Sequence, residues 1–346
     1  MIYVINLLFL VLYGIIVKLL FPKLHNRIFL FISTIHVSLF HALRDPYVYP
    51  DNDIYASNYI NISKVDLHSL IIETYMGWEP GYVLYNFMLS KISENPEYLF
   101  ISSSLFMVIG YMIIIRKYSF MPFVSVMIYL LYPLMFCQSL FVLRQHIATI
   151  IMLYAIYSIV STKKFFLISL IAFCFHYSAL VVFPFYFIYR KNIINLNPRK
   201  IFIYILIFFA FVRFLFVTVV NLFPRYSDYE TPEGNMIPFT LLASLLFMSY
   251  MLNIYKLVKF EYEKITLSFL FYGTIIVFLM LGVPGGGRLS NYFIYIMPIA
   301  YPLLFKYNKS SKSKFLRVAY SVFYWGVIFF MAINSGMEKY EYSLYF

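Results

Sequence analysis

The chain has 346 residues, of which 62% are hydrophobic and only 12% charged, and its mean hydropathy is +0.80. Soluble domains carry about 25% charged residues, so this composition excludes a soluble globular protein and predicts an all-α, polytopic integral membrane bundle. In such a chain the net charge of +12 reports topology, and no nucleic-acid partner is expected.

Taken in order, apolar runs fall at about 2–21, 28–43, 98–115, 120–136, 138–160, 165–189, 201–222, 237–255, 265–283, 291–305 and 315–334. The first lacks a small-residue cleavage site and exceeds a signal-peptide core, so it reads as a retained span. At roughly 20 residues per crossing, the chain suits about ten full spans in a single membrane domain covering 1–346. Placing the short basic loops in the cytoplasm puts 19 of the 27 Lys and Arg there. Of the acids, 13 of 15 then lie outside, leaving Glu261 and Glu263 within.

Two segments depart from simple crossings. Residues 44–97 form one large extracytoplasmic loop. Its segment 81–92 is expected to be an interfacial helix with Tyr82, Val83, Phe87, Met88 and Ile92 toward lipid, and Asn86, Ser90 and Lys91 toward water. Run 165–189 has a basic loop at each end, which a single crossing cannot place on one side. Split at Phe175-His176-Tyr177-Ser178 it gives two arms of about 17 Å, too short for ~30 Å of hydrocarbon. A re-entrant hairpin with His176 at its tip is the expectation. In a competing topology, 81–92 crosses and 165–189 is one span, at the cost of placing Arg116, Lys117, Lys163 and Lys164 outside.

Several groups suit chemistry. The outer loop opens with Arg44, carries Asp45, Asp51 and Asp53 among Pro and Tyr residues including Tyr55, and ends at Trp78-Glu79-Pro80-Gly81. Arg144 is expected about two turns inside run 138–160, where a guanidinium normally faces a cavity and marks a functional site. Arg213 lies mid-span with no motif around it. Gly285-Gly286-Gly287-Arg288 opens a span, and backbone amides there with Arg288 would make an anion site. Cys137 and Cys174 read as small hydrophobes. The six histidines show no paired spacing on one helix, so no metal is expected.

On this topology Arg44, Asp51, Glu79, Arg144 and Arg288 reach the outer half of the membrane, with His176 below them. Arginines grip phosphate oxygens bidentately, and a carboxylate or His can accept a proton from a hydroxyl. The set suits an amphipathic substrate with a diphosphate headgroup.

The same residues carry a family likeness. Leu43-Arg44 followed by Asp51 and Tyr55, Glu79-Pro80-Gly81-Tyr82, Leu143-Arg144-Gln145 with Ala148, Phe175-His176-Tyr177-Ser178-Ala179-Leu180 and Arg288-Leu289-Ser290-Asn291-Tyr292-Phe293 resemble the EpsG/Wzy family of bacterial polysaccharide polymerases. The family often has Gly-Thr before the loop aspartate where this chain has Tyr49-Pro50, which leaves Asp51 and Asp53 both open. The resemblance implies a multi-pass glycosyltransferase of the bacterial cytoplasmic (inner) membrane. Such an enzyme moves a glycan from undecaprenyl diphosphate onto a new lipid-linked repeat, with no cofactor. Membrane lipid and a chain-length regulator (co-polymerase) are its further implied partners. Asp51, His176 and Glu79 are then the catalytic candidates; Arg44, Tyr55, Arg144, Gln145 and Arg288 are the candidates for substrate binding. A flippase or exporter of lipid-linked oligosaccharide fits the same topology. No pair of matching halves is visible, which weakens a transporter. A polytopic O-acetyltransferase would need a cytoplasmic acyl-donor site, and those loops offer mainly Lys and Arg.

Overall fold

The computed structural model describes residues 2–72, 77–132, 135–191, 254–279 and 287–307. Among the described residues the regular elements are all helical. They divide into two compact units, the first running to Ala179 and the second beginning at Leu180.

The first unit contains α1 (Ile2–Leu20), α2 (His25–Ala42), α3 (Asn52–Ser63), α4 (Leu67–Ile72), α5 (Pro80–Ser90), α6 (Glu97–Tyr118), α7 (Pro122–Leu131), α8 (Phe136–Ser139), α9 (Leu143–Tyr157) and α10 (Thr162–Phe175). The second contains α11 (Phe183–Arg190), α12 (Glu261–Leu279), α13 (Gly287–Ile294) and α14 (Met297–Lys306). Among the described residues one helix, α6, is long and apolar enough to cross a membrane, with 22 residues and a mean hydropathy of 2.1. Its two faces explain why. Ile101, Leu105, Ile109 and Ile113 recur every four residues on an exposed stripe, whereas Ser103, Ser104, Met107 and Tyr111 are buried. Large aliphatics facing outward, with two serines among the apolar residues of the buried face, suit lipid as solvent. Leu8, Leu12, Ile15 and Leu19 form a similar exposed stripe on α1.

The apolar stretch between 120 and 160 breaks more often than hydropathy predicts. The 10 residues of α7 reach only about 15 Å at 1.5 Å per residue. After α8 the backbone leaves the helix at Leu140 and re-enters at Leu143. Arg144 therefore occupies the first turn of α9 rather than a position two turns inside a continuous span. The expected run 291–305 is likewise two helices, α13 and α14, separated at Tyr295–Ile296. Helix α10 ends where the sequence places a break, with His176 extended at φ −160° and ψ 120° and a 3-10 turn at Tyr177–Val182. Runs 201–222 and 315–334, most of 237–255, and Arg213 lie outside the described residues.

Helix α5 corrects an orientation. Asn86 and Ser90, expected to face water, are buried, as are Tyr82 and Val83, while Leu84, Met88 and Ile92 are exposed. The buried polar groups turn back on their own helix: Asn86 Nδ2 donates to the Tyr82 carbonyl at 2.7 Å and Ser90 Oγ to that of Phe87 at 2.8 Å. Helices α3, α4 and α5 share a small core of Ile62, Leu70 and Val83, against which Trp78 and Phe87 pack. Residues 44–97 are thus largely helical rather than an extended loop, and Trp78 packs against their small core.

Candidate functional site

Glu79 immediately precedes a proline, which disfavours helical backbone at that position. It is extended accordingly (φ −67°, ψ 137°), and Pro80 starts α5. Its carboxylate makes no cap to its own helix. It reaches α9 instead, where Arg144 Nη1 donates to Glu79 Oε2 at 2.6 Å. The other carboxylate oxygen accepts the Tyr177 backbone N–H at 3.3 Å.

Gly81 makes this approach feasible. A Cβ at that position would lie 2.8 Å from the Cys174 carbonyl oxygen and 3.0 Å from its carbon. Only a residue without a side chain lets the start of α5 rest on the last turn of α10, and that contact brings Glu79 to the helix break at His176 and Tyr177.

His176 Nδ1 lies 3.8 Å from Glu79 Oε1. The same nitrogen accepts the Ser178 backbone N–H at 3.2 Å and lies 2.9 Å from Ser178 Oγ. A ring nitrogen that accepts an amide proton carries none itself, so the network assigns the neutral tautomer with its proton on Nε2. As a neutral ring His176 stands beside Glu79, and it pairs with the carboxylate as an ion only when protonated.

Aromatic rings enclose the guanidinium. Arg144 lies over the Trp78 ring, 4.9 Å from its centroid, a cation–π contact. Tyr55 and Tyr82 pack on Trp78, both with centroids 5.4 Å away. Burial pushes the Tyr55 hydroxyl up, with Arg144 acting in the opposite direction, so it remains a neutral phenol. Glu79 is 5% exposed while Arg144 is 25% exposed, and Arg144 Nε has no hydrogen-bond partner. The pair is open on the arginine side.

The remaining expected residues occupy different places. Arg44 is buried beneath the loop. Its Nη1 donates to the His41 carbonyl and to Ser104 Oγ at 3.0 Å, and Nη2 donates to the Leu140 carbonyl at 2.7 Å. Asn52 Nδ2 donates to that same carbonyl at 3.1 Å and to Pro46 at 2.8 Å. Leu140 is where α8 stops, so its carbonyl needs a partner outside the helix; Arg44 and Asn52 supply it. His41 continues the network, with Nδ1 at 2.7 Å from Ser104 Oγ and Nε2 at 2.8 Å from Ser139 Oγ. These bonds tie the start of the outer loop to the break that precedes Arg144.

Asp51 is exposed at the opening of α3, in left-handed backbone (φ 67°) that Asp tolerates better than most residues. It is within electrostatic reach of Tyr55 but is not part of the Glu79–Arg144 contact. Gln145 is fully buried behind Arg144 on α9. Arg288 belongs to the second unit, in the first turn of α13; its side chain lies outside the described set. Trp78 and the Tyr177 N–H are contributors that sequence reasoning did not assign. The signal for Trp78 was its place beside Glu79, as one of only 2 tryptophans in the chain.

The family model described as EpsG family matches residues 27–344. The chain belongs to the EpsG family. Comparison with curated proteins and with solved structures gave no match. The matched range takes in every residue of the site just described, and membership in the EpsG family supports a polysaccharide-polymerase type of function.

Proposed function

We propose that this EpsG-family chain is a membrane glycosyltransferase that lengthens a polysaccharide at the outer face of the bacterial cytoplasmic membrane. Its substrates are oligosaccharides on undecaprenyl diphosphate. The proposed architecture has about ten spans, the cap of residues 44–97 outside, and 165–189 as a re-entrant hairpin. The observation that carries the reading is Arg144, held at a helix start against Trp78 and Glu79 with one side open.

In the reaction, the acceptor hydroxyl oxygen attacks C1 of the donor sugar. The C1–O bond to diphosphate breaks, its electron pair moves to the departing phosphate oxygen, and the hydroxyl proton passes to a base. Arg144 stabilises the charge that develops on the leaving diphosphate; in a poorly hydrated site such fixed charge is a large part of catalysis. Glu79 is the base. While Arg144 holds it, the carboxylate is a weak proton acceptor; a diphosphate oxygen taking that guanidinium leaves Glu79 free beside the reacting sugar. His176 and Asp51 stand as the alternative acceptors. Arg44 acts at a distance, by fixing the backbone break that positions Arg144. Tyr55 and Gln145 support the same arginine, Arg288 is assigned to diphosphate, and a co-polymerase is the expected regulator of chain length.

Reconstitution with lipid-linked repeats tests this. Wild-type protein should lengthen the glycan in sealed vesicles. Arg144→Ala should lose extension by two orders of magnitude or more at normal expression, the scale of losing one fixed charge that stabilises a transition state, while Arg116→Ala should extend normally. Movement of repeats across the bilayer with no change in glycan length would replace the polymerase by an exporter. Equal extension by the two variants would remove the role given to Arg144.

A further inference from the structure

Away from this site, at the expected cytoplasmic end of the first unit, α1, the start of α2 and the start of α7 enclose a cleft of about 320 Å³. That is within the size range of pockets that bury small ligands. Its walls are Ile15, Phe29, Phe120 and Phe123, and its rim carries Lys18 and Asn26. The floor is built by close packing at Gly14, where a Cβ would lie 2.5 Å from the Phe123 ring. Phe29 packs on Phe123 with centroids 5.2 Å apart, so the aromatic wall is fixed on both sides.

The charge around this cleft is one-sided. No Asp or Glu occurs in residues 1–44 or 98–227, which include all three helices that form it. Lys18 is exposed at the rim, Lys23 follows in the adjoining turn and Arg27 in the first turn of α2. Among the described residues the ion pairs fall on Glu79 and Glu263, with none to Lys18. A neutralising anion at this rim must come from outside the three helices. An apolar slot under an uncompensated cation, at the level where headgroups meet acyl chains, has the chemistry of an acidic lipid.

We propose that the cleft binds one acidic glycerophospholipid of the cytoplasmic leaflet, its phosphate on Lys18 and Asn26 and part of one acyl chain against Phe29, Phe120 and Phe123. The site is separate from the Glu79–Arg144 pair and does not depend on the reaction assigned to it. A lysine facing an anionic membrane surface contributes about 1 kcal/mol, which corresponds to about fivefold in retention.

The test uses full-length protein in nanodiscs of phosphatidylcholine containing a minor fraction of phosphatidylglycerol, with both lipids counted after extraction into neutral detergent. Wild-type protein should retain about one phosphatidylglycerol in preference to phosphatidylcholine. Lys18→Gln should lower that retention about fivefold, and Val124→Trp, which fills the cleft, should lower it without changing the charge. Lys117→Gln, a basic residue outside the cleft lining, should retain the lipid as wild type does. Equal retention of the two lipids by wild type, unchanged retention in Lys18→Gln, or the same loss in Lys117→Gln would each overturn the proposal.

Discussion

Replacing Glu79 by Gln separates binding from turnover in a way that only the proposed arrangement predicts. In the free protein the Glu79 carboxylate accepts from Arg144 Nη1 at 2.6 Å and from the Tyr177 N–H at 3.3 Å. A diphosphate headgroup must displace the first of these bonds. Hydrogen bonds to charged groups contribute about 1.5–3 kcal/mol net. A neutral amide at position 79 competes much less for the guanidinium, so headgroup affinity should rise by roughly 10- to 100-fold, at about 1.4 kcal/mol per decade. The same change removes the proton acceptor, and general-base catalysis contributes about 10²–10⁴ in rate. The assay is a pair of measurements on Glu79→Gln: inhibition by inorganic pyrophosphate or a short-chain prenyl diphosphate, and glycan extension at saturating donor. Tighter inhibition with extension reduced at least 100-fold is expected. A variant that binds the headgroup no better and extends at the wild-type rate would refute both the competition and the base.

Two further substitutions test the supports of the site. Gly81→Ala places a methyl 2.8 Å from the Cys174 carbonyl oxygen, so α5 must move off α10. Overpacking of this kind costs about 1–3 kcal/mol, and a displacement near 1 Å costs about 100-fold in rate; extension should fall with expression maintained, and a normal rate would show that Glu79 does not depend on that contact. Arg44→Ala leaves the Leu140 carbonyl with Asn52 alone and removes donors to the His41 carbonyl and Ser104. Hydrogen bonds from a charged donor contribute about 1.5–3 kcal/mol each, so thermal unfolding in detergent should drop by several degrees or more. Headgroup inhibition of the protein that survives should be unchanged if Arg44 makes no direct contact with substrate.

The helical class was legible because composition carries it directly, whereas of the expected spans one helix, α6, is long and apolar enough to cross a membrane among the described residues. Glu79, Arg144 and His176 were each visible as costly or unusual groups in apolar surroundings. The topology led one to expect them to converge; the direct Glu79–Arg144 contact was not legible, because 65 residues separate the two and the contact depends on a glycine at 81 lying against Cys174. The break before Arg144 was hidden for a related reason. Hydropathy sees a continuous apolar run, and the freed Leu140 carbonyl is tolerated only through donors 96 and 88 residues away in Arg44 and Asn52. Helix α5 shows the opposite failure. Asn86 and Ser90 were assigned to water by a rule suited to an interfacial helix, whereas this helix packs against its neighbours on the side where its polar groups turn inward and satisfy their own backbone.

The position of Arg144 has an electrostatic consequence of its own. A cation in the first turn of a helix sits at the positive end of the backbone dipole, which is unfavourable by some tenths of a kcal/mol to about 1 kcal/mol. Such placement is stable only with an anion close by. In the free protein that anion is Glu79, carried in by a proline-directed turn. Because the carboxylate stands at the start of α5 rather than on α9, it can release the arginine without unfolding the helix that holds it. A diphosphate carries more negative charge than a singly charged headgroup, so it should replace Glu79 beside the guanidinium more effectively. A monophosphate lipid should accordingly inhibit extension at least tenfold more weakly than the diphosphate of equal chain length, and equal inhibition by the two would show that the added charge gains nothing at Arg144.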